Sequence, residues 1–218
     1  VYFCKVLEHQ IKNKILTQGK YLFIQNGIRN TNMDDIARHF SISKKTLYLH
    51  FKDKNDLIAQ IIKNDTEAKE KAVLQIINEN NSKNAIESNF AVFNFVLLEL
   101  SKLPLLIISE MKKYHPEAWQ IIYTHKTTFV RETVTENLKK GLNEGLYRKE
   151  INPEIVSALY IGALDNLSNE NFFSAQHYSY GDLYIEFIIY HLFGIVSPKG
   201  YEIVVKLTEN LKNKKNVL

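Results

Sequence analysis

Between Thr31 and Leu57 the chain reads TNMDDIARHFSISKKTLYLHFKDKNDL, and the spacing of its apolar residues leaves little choice of local fold. Met33, Ile36, Ala37 and Phe40 recur at i, i+3, i+4 and i+7, one stripe of a short helix over 32–40. Leu47 and Phe51 recur four apart and predict a second short helix over 44–51. Between them, Ser41-Ile42-Ser43 is long enough only for a tight turn, with Ile42 turned inward. A third helix is expected to open at Asp53, which caps it, with Asp56 three residues on. Thr31 is placed to cap the first short helix and Ser43 the second. A packing helix, a three-residue turn and a second helix with a cationic, aromatic outer face make a helix-turn-helix. Such a unit can lay its second helix in the DNA major groove.

Ahead of this unit, Ile11, Ile15, Gly19, Leu22 and Phe23 share one face of a longer helix, about residues 8–25. Gly27 follows where a left-handed C-terminal residue is expected. The charge is distributed accordingly. Residues 1–60 hold ten Lys/Arg against five Asp/Glu, and the other 158 residues hold 18 against 19, within a net +4 for the 218-residue chain. Counterion release at phosphates needs a local excess of cations, not a basic whole protein.

At these residues a resemblance becomes specific. Residues 11–62 resemble the N-terminal domain of TetR/AcrR-family transcriptional regulators. The matching run is Ile15, Leu16, Leu22, Phe23, Gly27, Thr31, Ile36, Ala37, Ile42, Ser43, Thr46, Leu47, Tyr48, His50, Phe51, Lys54 and Leu57. The chain departs from the pattern twice: Ser41 stands at the family's turn glycine, and Lys45 at its small residue before Thr-Leu-Tyr. A non-glycine residue held left-handed costs about 1–2 kcal/mol, which a packed domain tolerates. The resemblance implies that Thr46, Tyr48 and Lys54 hold phosphates, and that Lys44, Lys45, Leu49 and His50 approach base edges. Thr31, at the mouth of the same unit, joins them as a DNA-binding candidate. Lysine donates to guanine O6/N7 and a tyrosine hydroxyl to phosphate, so the residue types suit the roles.

The rest of the chain is expected to be helical, because it holds only four prolines and eight glycines and no alternating strand pattern. Helices are placed near 54–79, 84–102, 104–114, 116–143, 153–168 and 181–196, with a looser one near 200–212. Pro104, Pro116 and Pro153 each precede a periodic apolar run, as proline at a helix start does. The expected fold is all-α: a three-helix DNA-binding domain over 1–56 and a helical ligand-binding and dimerisation domain over 57–218. Segments 155–167 (IVSALYIGALDNL) and 183–195 (LYIEFIIYHLFGI) are apolar nearly all round, so they must be covered on several sides. A homodimer through 153–168 and 181–196 is the expectation, and the resemblance implies a four-helix bundle between the copies. Two recognition helices about 34–36 Å apart then read successive grooves of a palindrome.

For a regulatory effector, Phe90, Phe93, Asn94 and Leu97 share one helix face, and Trp119, Tyr123, Lys126 and Val130 roughly share another. With Met111, Tyr160 and Asn166 they form a candidate lining for an apolar or aromatic small molecule; ordinary core packing is the competing reading. The histidines at 115, 125, 177 and 191 show no metal-ligand spacing, and Cys4 is the only cysteine, so neither a metal nor a cofactor is expected. No 18-residue uncharged apolar run exists and VYFCKVLEH has no leader pattern, so a cytoplasmic protein without a membrane partner is expected. The chain lacks a Walker loop, a GxSxG elbow, a HExxH helix and a dinucleotide fingerprint, which argues against an enzyme. The function expected is a DNA-binding regulator, most often a repressor in this family, released from double-stranded DNA by its effector. The remaining alternative is a helical adaptor whose basic N-terminal domain binds an acidic protein.

Overall fold

The computed structural model describes residues 2–169, 172–173 and 177–215. Among them the regular elements are helices: α1 (Tyr2–Asn26), α2 (Met33–His39), α3 (Lys44–His50), α4 (Lys54–Glu79), α5 (Ala85–Leu100), α6 (Leu105–Tyr114) and α7 (Pro116–His125). A π-helical turn (Lys126–Val130) follows, then α8 (Arg131–Asn143), α9 (Pro153–Leu167), α10 (Tyr180–Ile195) and α11 (Pro198–Lys215). The chain divides into two compact units. One contains residues 1–70 and 103–125, the other 71–102 and 126–218. The first unit therefore takes in α6, α7 and the greater part of α4 beside the helix-turn-helix, a wider body than the 1–56 segment.

In the first unit the expected stripes form the core. Ile15, Ile36, Leu47, Phe51, Leu57 and Ile61 are almost fully buried, with Ile107 and Met111 of α6 in the same cluster. Gly19 is buried against Ile61 and has no room for a larger side chain without displacing it. Gly27 ends α1 with a φ of 82°, as its sequence position predicts, and Ser41 makes the α2–α3 turn with a φ of 55°. Three boundaries differ from expectation. Helix α1 continues toward the N-terminus as far as Tyr2, because no breaker interrupts that stretch. Helix 116–143 is interrupted at Lys126–Val130, where the run KTTFV is rich in residues that fit an α-helix poorly. Helix α2 is capped by Asn32 and not by Thr31: Asn32 Oδ1 accepts from the amides of Asp34 and Asp35, and Asp35 Oδ2 accepts from the Asn32 amide. Thr31 is unavailable because its hydroxyl donates to the Gly27 carbonyl at 2.8 Å.

The second unit is built of α5 and α8–α11 with the end of α4. Helix α9 packs on α8 and α10, and α10 on α5 and α11. Phe93 stacks on Tyr184 with ring centroids 5.6 Å apart, and Tyr160 lies 5.0 Å from Phe187. The loop after α8 closes tightly: Gly141 has no space for a Cβ because the Tyr147 ring covers it. The Tyr147 hydroxyl donates to Asn137 Oδ1 at 2.8 Å. No single helix among the described residues is long and apolar enough to cross a membrane.

Candidate nucleic-acid interface

Helix α3 is anchored by two side chains and presents the rest. Leu47 is 0% and Phe51 1% exposed, whereas Tyr48 is 47% and Leu49 65% exposed. The N-terminus of α3 is held by Ser43, whose Oγ accepts from the Thr46 amide at 3.0 Å and lies 2.7 Å from the Thr46 hydroxyl. Thr46 is half-buried, and Lys45 is exposed with no ion pair among the described residues. The following helix opens as expected: Asp53 Oδ1 accepts from the Asp56 amide at 2.9 Å, and Asp56 Oδ2 in turn accepts from the Lys52 amide at 2.8 Å.

Four of the candidate DNA-binding residues are occupied elsewhere. Thr31 is 1% exposed and serves the α1–α2 connection, so it offers nothing to a duplex. Lys44 leans back onto α2 and pairs with Asp34 at 2.6 Å, and this bond holds the ammonium above the usual lysine range. Lys54 donates to the Ile28 carbonyl at 2.6 Å; its partial burial lowers its pKa, while Glu110 opposes that shift. The His50 ring lies edge-on to Phe51, 6.2 Å between centroids, with Nε2 buried and without a hydrogen-bond partner. It is a packed wedge, not an outward-pointing base contact. The exposed residues of α3 without an ion pair among the described residues are Lys45, Tyr48 and Leu49, with Thr46 at the margin; Lys44 is exposed as well, but paired.

Sequence reasoning also missed what braces this surface. His115, at the α6–α7 corner, donates from Nδ1 to Asn55 Oδ1 at 2.8 Å. Burial and the Lys54 charge lower the His115 pKa, so the imidazole is neutral near pH 7. Glu110 of α6 keeps one buried carboxylate oxygen without a hydrogen-bond partner and acts on Lys54 and His115 through its charge. These contacts tie the first turn of α4 to α6 and α7. They link residues up to sixty positions apart, which no local pattern reveals.

The effector candidates fall in both units. Met111, Trp119 and Tyr123 belong to the first unit, Met111 within its core; Phe90, Phe93, Asn94, Leu97, Lys126, Tyr160 and Asn166 belong to the second. Phe90, Phe93 and Tyr160 are buried among aromatic rings. Lys126 pairs with Asp165 within the same unit. Asn94 and Asn166 are exposed and bond back to the carbonyls of Phe90 and Gly162 in their own helices, so they do not join an interior lining. The interior of the second unit instead carries the buried Tyr160 and Tyr184, with the Tyr160 hydroxyl pushed up to about 12 by burial. Tyr180 is likewise pushed up to about 12 by burial, with Asp165 adding to the shift.

Residues 15–61 match the family model described as bacterial regulatory proteins of the tetR family. The HTH-type transcriptional regulator YvaF of Bacillus subtilis is 27% identical over 183 residues, 83% of this chain and 92% of that one. Among solved structures, a TetR-family regulator from Agrobacterium tumefaciens superposes with a TM-score of 0.68 at 16% identity, over 87% of this chain and all of the other. The transcriptional regulator FadR of Bacillus subtilis, solved in complex with stearoyl-CoA, gives 0.61 at 17% identity over 86% of this chain and 98% of its own. The two structures share the fold, and the sequence matches are to transcriptional regulators and not to enzymes. The chain is thus similar to tetR-family bacterial regulatory proteins over residues 15–61 and to the HTH-type transcriptional regulator YvaF over most of its length.

Proposed function

We propose that the protein is a dimeric repressor that holds a palindromic operator and leaves it when a small apolar or aromatic effector binds. The observation that carries the DNA half of this reading is the outer face of α3, where Lys45, Tyr48 and Leu49 are exposed on a helix locked from behind by Leu47 and Phe51. In this reading residues 1–56 read DNA, residues 57–218 bind effector and pair the subunits, and the protein works in the cytoplasm. Pairing is supported by an uncovered apolar stripe on α9, where Ile155 is 59% and Leu159 68% exposed, and by Tyr190 of α10 at 81%. Such a patch on a helical unit calls for a partner. The effector reading is supported by the aromatic interior of the second unit, and FadR, of the same fold, holds an acyl-CoA. Release follows if the effector binds more tightly to a conformation whose recognition helices no longer match the half-site spacing. The fall in DNA affinity then equals the effector's differential affinity for the two states.

The test is a titration of the protein with duplexes selected from a random pool, at several salt concentrations. Affinity falling linearly on a log–log plot supports the reading, with a slope that grows with the number of phosphates neutralised. Saturating long-chain acyl and aromatic compounds should then release the duplex. Binding equally weak to every duplex in dilute buffer refutes operator recognition, and an unreleased duplex across the whole panel refutes the effector class.

A further inference from the structure

The outward direction of α3 can be assigned residue by residue. At about 100° of rotation per residue, the inward direction lies midway between Leu47 and Phe51, and Leu49 then points about 180° away from it. Lys45 lies about 140° away and Thr46 about 120°, while Tyr48 and His50 sit on the two flanks at about 80°. The exposures agree: Leu49 is 65% exposed and Tyr48 47%, whereas Leu47 is 0%. Lys44 lies about 40° from the inward direction, remains exposed, and pairs with Asp34 of α2. Of the two adjacent lysines, then, only Lys45 is free to reach forward, and the centre of the outer face is an aliphatic side chain.

A leucine at that position selects its partner by chemistry. The major-groove edges of the four base pairs present hydrogen-bonding groups throughout, and the thymine C5-methyl is the apolar one among them. A leucine pressed on any other edge would desolvate polar atoms without pairing them. Lys45 is one turn back, about 6 Å along the helix and hence about two base steps, and as a point-charge donor it suits guanine O6 and N7. Resting on the DNA-binding reading above, we propose that Leu49 reads a thymine methyl in each half-site and Lys45 a guanine about two base pairs from it. Lys44, retained by Asp34, takes no part in base reading.

The experiment starts from a duplex enriched from a random pool by the full-length protein. Each thymine is replaced in turn by deoxyuridine, which deletes only the methyl, and each guanine by 7-deazaguanine, which deletes only N7. One thymine per half-site should respond to the first change by about fourfold, the worth of one buried methyl, or about fifteenfold when both half-sites are altered. In Leu49→Ala that response should vanish while the guanine response persists. In Lys45→Ala the guanine response should vanish while the methyl response persists. Lys44→Ala should keep both. Wild-type protein that binds thymine and deoxyuridine duplexes equally at every position overturns the proposal, and so does a methyl response that survives in Leu49→Ala or a guanine response lost only with Lys44. Failure to enrich any duplex is a different result, and it overturns the operator reading on which this one stands.

Discussion

The two left-handed residues of the DNA-binding unit make a paired test with opposite signs. Gly27 has a φ of 82° and Ser41 a φ of 55°. For a residue with a Cβ this conformation costs about 1–2 kcal/mol, while glycine in the unfolded chain costs about 0.4–1 kcal/mol in extra entropy. Ser41→Gly should therefore stabilise by about 0.5–1 kcal/mol, the difference of the two terms. Its side chain is exposed, so the exchange removes no packing. Gly27→Ala should destabilise by a similar amount. A Cβ there would meet only Asn30 Nδ2, at an ordinary 3.5 Å, so the loss is one of backbone conformation alone. Urea unfolding followed by far-ultraviolet circular dichroism, at one fixed protomer concentration, reads both. A shift of Ser41→Gly toward lower urea, or of Gly27→Ala toward higher urea, would refute the reasoning.

Gly141→Ala should destabilise by about 3 kcal/mol, because the new methyl meets the buried Tyr147 ring; the loss should shrink in a Tyr147→Ala background, again by urea unfolding. His191 is pushed down to about 4 by burial, so the unfolded chain binds a proton below about pH 6.5 that the folded chain refuses. That residue's contribution is intact above pH 6.5 and falls as the pH drops toward 4, by as much as about 3 kcal/mol, and His191→Phe should flatten the decline in acid unfolding curves. Leu159→Glu should leave the helical spectrum unchanged and convert a dimer to a monomer in sedimentation equilibrium; an unaltered mass would exclude the α9 stripe as the pairing surface. Lys54→Ala should lower thermal stability through loss of the Ile28 carbonyl contact, with little change in the salt slope of DNA binding.

What the sequence made legible was local. The stripe Met33–Ile36–Ala37–Phe40, the pair Leu47 and Phe51, the Asp53 cap and the prolines that open α7 and α9 follow from helical period and capping chemistry, and each lies where expected. Thr31 and Asn32 are both good caps and adjacent, and the carbonyl of Gly27, not a local preference, decides between them. The engagements of Lys44, Lys54 and His115 depend on partners from other elements, Asp34, Ile28 and Asn55, so a reading along the chain counted the cations without knowing which were spoken for. Likewise the π-helical turn at Lys126–Val130 breaks the periodicity on which the face Trp119–Tyr123–Lys126–Val130 relied.

Gly162 on α9 and Gly194 on α10 face open space, with nothing within 4 Å of where a side chain would begin. Nothing inside the protomer requires glycine there, so single exchanges to alanine or valine leave its fold intact. In the pairing proposed above, a methyl added at either position would hold the copies further apart and raise the protein level at which doubly occupied operators form. In the proposed switch these two bare positions would give mutation a fine adjustment of the dose at which it trips, independent of base reading and of the effector.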